Sequence, residues 1–261
     1  MTPAPRIVSL RDGAVSLRVL SGGQGAPLVY FHSFHEVEPW SPCLDRLAAR
    51  FTVWAPLHPG APGSGGIESI DDVHDLTLVY DELLDALGLT APHLLGHGFG
   101  GMVAAELAAV FPRRVGRVAL VSPLGLWLDA SPNADLLILP VEDLLETMWA
   151  DPHSEVARAW ATSPDADPEN VPGIAGSLQR RSAMAKMIWP IPDKGLRKRL
   201  HRITAPTLLL WGDADRANPL VYAEEWQRRV KGAALRLVPG GHMVLREAPD
   251  AVASALLEFL E

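Results

Sequence analysis

Side chains that can move protons stand in loops that follow predicted strands of this chain. Asp215 follows an apolar run at 207–211, and His242 follows another at 235–238. Imidazole is the commonest general base of enzymes, and a neighbouring carboxylate can fix its tautomer. Histidines also occur near the ends of other apolar runs, at His32, His35, His58 and His97. The chain therefore carries the residue types that proton-transfer chemistry needs.

A glycine-rich turn lies between a predicted buried strand and a predicted helix, in the segment His93-Leu94-Leu95-Gly96-His97-Gly98-Phe99-Gly100-Gly101. No Gly-Lys-Ser/Thr follows it, and no dinucleotide-binding glycine spacing lies near the first strand, so a phosphate loop is disfavoured. The order His32-x-x-His35-Glu36 matches neither zinc-binding helix motif and falls at a strand end. We therefore expect neither a metal nor a cofactor.

The glycine turn resembles the nucleophile elbow, G-x-S-x-G, of the α/β-hydrolase superfamily, with Gly98 in place of the serine. Three more matches follow in the order of that family. The segment 32–34 is similar to its oxyanion loop, with Ser33 in place of the usual glycine. Asp215 matches the position of the triad acid, and His242 that of the histidine. The resemblance covers essentially the whole chain and is greatest to the esterase and C–C bond hydrolase branch.

The resemblance implies roles for these residues. Asp215 would hold Nδ1–H of His242, and Nε2 of that ring would act as general base. The backbone N–H groups of Phe34 and Phe99 would form an oxyanion hole. The implied pocket residues are Ser33, His35, Met102 and Trp127. The expected reaction is hydrolysis of a carboxylic ester or an activated C–C bond in a small apolar or aromatic substrate.

Glycine at position 98 has no nucleophile, although it tolerates the strained backbone of an elbow. Three explanations stay open. In the first, a serine was replaced deliberately to trap a ligand. In the second, the chain is a natural enzyme in which His242 activates water or, as in a lyase or isomerase, abstracts a substrate proton. In the third, the chain is a ligand-binding relative without activity. We expect the hydroxyl of Ser33 to bond a local backbone group rather than to replace the nucleophile.

The elements that hold these residues follow from hydrophobic patterning. Apolar runs at 27–32, 51–57, 93–96, 118–121, 207–211 and 235–238 predict strands buried on both faces. Alternating patterns at 7–10 and 15–20 predict an antiparallel edge hairpin. Ser69 and Asp72 form a predicted capping box before a helix that ends at Gly88. The resemblance and this order of elements predict an α/β-hydrolase fold, with a mostly parallel sheet of about eight strands and helices on both faces.

A helical insertion interrupts this alternation. Between 124 and 202 no convincing strand occurs, and helices are predicted at 141–150 and 174–188. Four tryptophans lie there: Trp127, Trp149, Trp160 and Trp189. We predict a core domain of residues 1–123 and 203–261 and a helical cap, or lid, of residues 124–202. The basic run within 194–202 is interpreted as the solvated face of a helix.

Composition limits the partners and the compartment. The 261 residues are 48% hydrophobic and carry a net charge of −8, which disfavours nucleic acid as a partner. No run reaches the ~18 apolar residues of a membrane span. A single cysteine, Cys43, and the lack of an apolar leader lead us to expect a cytoplasmic protein. The expected partner is a small-molecule substrate, and a homodimer stays open.

Overall fold

The central sheet has eight strands in the order β1-β2-β4-β3-β5-β6-β7-β8. The computed structural model describes residues 3–36, 39–162 and 170–261. The strands are β1 (Ala4–Leu10), β2 (Val15–Gly22), β3 (Ala26–Phe31), β4 (Phe51–Pro56), β5 (His93–His97), β6 (Val118–Val121), β7 (Thr207–Gly212) and β8 (Ala234–Val238). The helices are α1 (Pro42–Leu47), α2 (Val73–Ala86), α3 (Phe99–Val110), α4 (Val141–Met148), α5 (Glu155–Ala161), α6 (Val171–Ile188), α7 (Leu220–Arg229), α8 (Val244–Glu247) and α9 (Pro249–Leu260).

Strand direction confirms the predicted α/β-hydrolase fold. β1 and β2 form an antiparallel hairpin at one edge, and β2 pairs antiparallel with β4. From β4 to β8 every neighbouring pair is parallel. Each residue of β6 and β7 is buried, as expected for strands covered by helices on both faces. The carboxyl ends of the parallel strands therefore meet along one edge of the sheet.

Helix α3 approaches the sheet so closely that only glycine fits at its start. A Cβ at Gly100 would lie 1.9 Å from the carbonyl oxygen of Phe31, and one at Gly96 would lie 2.3 Å from that of Gly100. Both contacts are shorter than any real carbon–oxygen contact, so these positions require hydrogen as the side chain. The glycines thus bring the N-terminus of α3 against the ends of β3 and β5.

The N-cap of helix α2 lies three residues after Ser69, the N-cap that the predicted capping box implies. Its N-cap is Asp72, whose carboxylate accepts hydrogen bonds from the backbone N–H groups of His74 (2.7 Å) and Asp75 (3.0 Å). Ser69 instead closes a short 3-10 helix, Ile67–Ser69. The prediction of Ser69 as the cap was therefore wrong. An aspartate satisfies the orphan N–H groups of the first turn at least as well as serine does.

The segment between β6 and β7 holds α4, α5 and α6 in its described part. Its basic end is not one helix face: it forms two 3-10 turns, Leu196–Lys198 and Leu200–Arg202. Arg199 donates to the buried carboxylate of Glu106 at 2.6 and 2.8 Å. This run therefore ties the segment to α3 and is not simply solvated. None of the described helices is both long and apolar enough to cross a membrane.

We expect Asp72→Ala to lower the free energy of unfolding by about 1 kcal/mol, because two N–H groups of α2 lose their acceptor. Urea unfolding followed by circular dichroism measures this change. The matched control is Asp71→Ala, which removes a neighbouring exposed carboxylate that does not cap the helix. Equal losses in the two variants would contradict the assignment of the cap.

Candidate active site

The loops after β7 and β8 bring Asp215 and His242 together. Nδ1 of His242 lies 3.0 Å from Oδ2 of Asp215, and both side chains are fully buried. The carboxylate accepts a hydrogen bond from Nδ1–H, so in the neutral ring Nε2 carries the lone pair. Nε2 is buried and has no hydrogen-bond partner among the described residues. Nε2 therefore lies on the side of the ring opposite the carboxylate, as the predicted role of general base requires.

Asn218 fixes the carboxylate of Asp215. Oδ1 of Asp215 accepts the backbone N–H of Asn218 at 2.8 Å, and the side-chain amide of Asn218 donates to the carbonyl of Pro123 at 2.9 Å. Asn133, in the segment between β6 and β7, donates to Oδ1 of Asn218 at 2.6 Å. Through Asn218, the acid is therefore anchored to the end of β6 and to Asn133. Asn218 was not among the predicted site residues.

Gly98 stands at the turn between β5 and α3, as the sequence predicts, with φ 54° and ψ −115°. This left-handed backbone strains any residue that carries a side chain. A Cβ built there would lie 3.2 Å from Nε2 of His242 and 3.1 Å from Oγ of Ser33. Nε2 of the imidazole therefore lies next to position 98.

The hydroxyl of Ser33 does not make the hydrogen bond to a local backbone group that the sequence analysis predicts. Oγ is buried and finds no hydrogen-bond partner in the parts of the chain that the structure describes, so it does not bond a local backbone group. The backbone of Ser33 is nevertheless firmly held. Its N–H donates to Oε1 of Glu36 at 2.9 Å, and its carbonyl accepts from Nδ1 of His32 at 2.8 Å.

Glu36 joins three parts of the site and was missed by the sequence analysis. Its carboxylate accepts from the hydroxyl of Tyr30 at 2.7 Å, from Ser33 N–H, and from Nδ1 of His97 at 2.8 Å. Burial alone would raise the pKa of Glu36, but the hydrogen bond and charge of His97 outweigh it and hold that pKa at about 2. Glu36 is therefore a buried carboxylate that is ionised at neutral pH.

His97 links this carboxylate to the loop after β8. Nε2 of His97 lies 2.8 Å from the backbone carbonyl of His242, while Nδ1 faces Glu36. With the carboxylate of Glu36 ionised, both ring nitrogens face acceptors, and a protonated ring would donate to both. His97 thereby connects Glu36 to the backbone of the candidate base.

His32 and His58 form a separate neutral pair. Nε2 of His58 donates to the carbonyl of His32 at 2.9 Å, and its Nδ1 pairs with the hydroxyl of Tyr80. Nε2 of His32 accepts the backbone N–H of His58 at 3.3 Å. Burial lowers the pKa of both rings. These bonds use both ring nitrogens of each histidine, so the two rings hold together the loops that follow β3 and β4.

The predicted oxyanion residues directly follow Gly98 and Ser33 in the chain, as Phe99 and Phe34. Phe99 is the first residue of α3, so its N–H has no acceptor within the helix. Phe34 lines an apolar cavity of about 90 Å³ together with Trp127, Leu136 and Ile188. The ring of His35 stacks on Phe34 with centroids 3.9 Å apart.

Other predicted pocket residues are placed less directly. Met102 is fully buried on α3, and a Cβ built on Gly125 would lie 2.9 Å from its Cγ. Of the tryptophans between 124 and 202, Trp149 is also fully buried, and its ring lies 6.2 Å from that of Trp160. Within the described residues no group of three or more metal-ligating side chains converges.

The comparisons with known proteins place the chain in a family. The model of the alpha/beta hydrolase family matches residues 22–255, and the chain belongs to this family. It is 30% identical over 193 residues to a 2-hydroxy-6-oxo-6-phenylhexa-2,4-dienoate hydrolase of Burkholderia cepacia, covering 68% of this chain and 65% of the relative. It is 25% identical over 274 residues to a poly(3-hydroxyalkanoate) depolymerase of Ectopseudomonas oleovorans, covering 98% and 92%.

Solved structures agree with this assignment. A hydrolase from Pseudomonas aeruginosa PA01 superimposes with a TM-score of 0.76 at 26% identity, covering 98% of both chains. The resemblance to α/β hydrolases that act on esters and on C–C bonds is therefore confirmed. The roles of individual residues, and the meaning of glycine at position 98, stay predictions.

We expect Glu36→Gln to destabilise the fold by about 3 kcal/mol, because breaking a buried ion pair leaves an uncompensated charge. Denaturant unfolding at neutral pH measures the loss. The control is Glu258→Gln, which removes one partner of an exposed ion pair with Arg236 and should hardly move the midpoint. A Glu36→Gln variant as stable as the parent would exclude the buried ion pair.

We also expect the fold to lose stability as the pH falls below about 6.5. Burial lowers the pKa of His32, His35 and His58 from their ordinary value of 6.5. In that range the unfolded chain binds more protons than the folded chain, so protonation favours unfolding. Glu36 adds a second loss between its ordinary pKa of 4.5 and about 2. Urea midpoints at pH 7, 6 and 5 should decline; a rise toward pH 5 would refute this account.

Proposed function

We propose that this α/β hydrolase cleaves a carboxylic ester or an activated C–C bond through a water molecule that His242 activates. One observation supports this most: Nε2 of His242 faces, at 3.2 Å, the point where a side chain at position 98 would begin. Gly98 corresponds on this proposal to the nucleophile position of the family. No side chain at position 98 separates the base from an attacking group, and Asp215 still orients the ring. The proposed route puts the water molecule beside Gly98.

The proposed reaction uses Nε2 of His242, the carboxylate of Asp215 and two backbone N–H groups. Water gives a proton to Nε2 of His242, and its oxygen attacks the substrate carbonyl carbon. The N–H groups of Phe34 and Phe99 stabilise the oxyanion that forms. When the intermediate collapses, the imidazolium returns the proton to the leaving group. Asp215 stabilises the imidazolium between these two steps.

The substrate proposed for this site is small and apolar or aromatic, because Phe34, which follows Ser33 in the chain, lines an apolar cavity. The cavity of about 90 Å³ beside Phe34 has mostly apolar walls, including Trp127 and Leu136. The named activities of the relatives include hydrolysis of a phenyl-bearing dienoate. We further propose that residues 124–202 act as a cap, because Ile188 of α6 lines the same cavity and Met184 and Met187 line a second one against His32 and Phe99.

We expect His242→Ala to lower kcat on aryl esters by roughly 10²–10⁴-fold, because the general base is lost. Binding of a non-hydrolysable substrate analogue should change little. The control is His201→Ala, which removes an exposed histidine. Tight binding without any turnover by the parent protein would favour a ligand-binding role, and proton exchange without hydrolysis would favour a lyase or isomerase.

The Gly98→Ser variant separates the water route from a lost covalent route. We expect the parent to hydrolyse a nitrophenyl ester without a burst and to resist a fluorophosphonate. The variant should show a burst and become labelled, at a cost of about 1–3 kcal/mol in stability from the left-handed backbone. A parent that is inactive beside an active Gly98→Ser variant would mean that the chain is a serine hydrolase without its nucleophile.

A further inference from the structure

Two buried polar atoms face the same point from different loops. Oγ of Ser33 lies 3.1 Å and Nε2 of His242 lies 3.2 Å from the position of a Cβ on Gly98. Neither atom has a hydrogen-bond partner within the described ranges 3–36, 39–162 and 170–261. A buried hydroxyl without a partner costs about 1–3 kcal/mol. A group that bonds both atoms beside Gly98 would remove this cost.

The position of Ser33 is imposed by its backbone, not by its side chain. The N–H donates to the ionised Glu36 at 2.9 Å, and the carbonyl accepts from His32 and from the backbone N–H of Glu36. These three bonds hold the Cα of Ser33 in place whatever side chain it carries. The hydroxyl is therefore available for a ligand that the chain itself does not provide.

We propose that Ser33 is a catalytic residue that binds the attacking water jointly with His242. This inference depends on the proposed function and assigns a hydroxyl to the water route. The water oxygen lies beside Gly98 and accepts or donates one hydrogen bond at Oγ of Ser33, while its own proton points at Nε2. Two anchors fix the direction of the oxygen lone pair that attacks the carbonyl carbon.

The proton balance of the step is unchanged by Ser33. Water forms the new C–O bond with a lone pair, and its proton moves to Nε2 of His242. The carbonyl π electrons move to oxygen, and then return as the bond to the leaving group breaks. That group takes the proton from Nε2. Ser33 keeps its own proton throughout, so no acyl-serine forms at position 33.

The test is a comparison of Ser33→Ala with the parent on the same nitrophenyl ester. We expect kcat to fall roughly 10²-fold, as for misplacement of a reacting group, with KM and the thermal midpoint nearly unchanged. Thr77→Val is the matched control, since it deletes another buried hydroxyl, one that bonds the carbonyl of Val73 within α2. A structural role for Ser33 would lower the midpoint and leave kcat unchanged.

Each outcome bears on one proposal separately. If the parent is active and His242→Ala is not, while Ser33→Ala keeps full kcat, the role of Ser33 is refuted and the water route stands. If mass spectrometry of the quenched parent finds an acyl group on Ser33, the hydroxyl is a nucleophile and the shared water is refuted. If the parent has no turnover, the proposed function itself fails.

A double variant tests independently whether the side chain of Ser33 lies beside position 98. A serine at position 98 would place its Cβ only 3.1 Å from Oγ of Ser33, so Gly98→Ser alone crowds that hydroxyl. We expect Gly98→Ser with Ser33→Gly to show a larger burst rate than Gly98→Ser alone, because the second change removes the crowding group. Equal burst rates would show that Ser33 does not occupy the space beside position 98.

Discussion

The site is organised by one buried negative charge, the carboxylate of Glu36. An isolated charge in the interior is unstable, so this carboxylate has to gather donors. It receives the N–H of Ser33 from the loop after β3, the hydroxyl of Tyr30 from β3 and the ring of His97 from the end of β5. Through His97 it also reaches the backbone of His242. One ionised side chain thereby aligns three loops that carry the candidate chemistry.

The sheet makes this convergence feasible. β3, β5, β7 and β8 are all parallel, so their carboxyl ends open at the same edge. The glycines at 96 and 100 let α3 begin directly against β3, which brings Gly98 within reach of the loop after β8. Asn218 holds Asp215 in a comparable way. Its N–H donates to Oδ1 of Asp215, and its side-chain amide donates to the carbonyl of Pro123, just after β6.

The sequence predicted the strands and the parallel order because these depend on local hydrophobic runs. The meeting of Asp215 with His242 followed from the resemblance to the α/β-hydrolases. The sequence did not predict Glu36, since a contact between positions 36 and 97 leaves no periodic signal in either segment. Asn218 had a local signal: its N–H bonds an aspartate three residues earlier, a common turn pattern. Arg199 was misjudged for the same reason as Glu36, because its buried partner, Glu106, lies 93 residues away.

Positions 33 and 98 are coupled by space. A side chain at 98 would bring its Cβ to 3.1 Å from Oγ of Ser33, closer than carbon and oxygen normally pack. Glycine at 98 relieves both this crowding and the strain of a left-handed backbone. It also leaves the hydroxyl of Ser33 and the imidazole of His242 facing one small volume. A serine at 33 and a glycine at 98 are thus compatible with each other, whereas serines at both positions would compete for the same space beside the base.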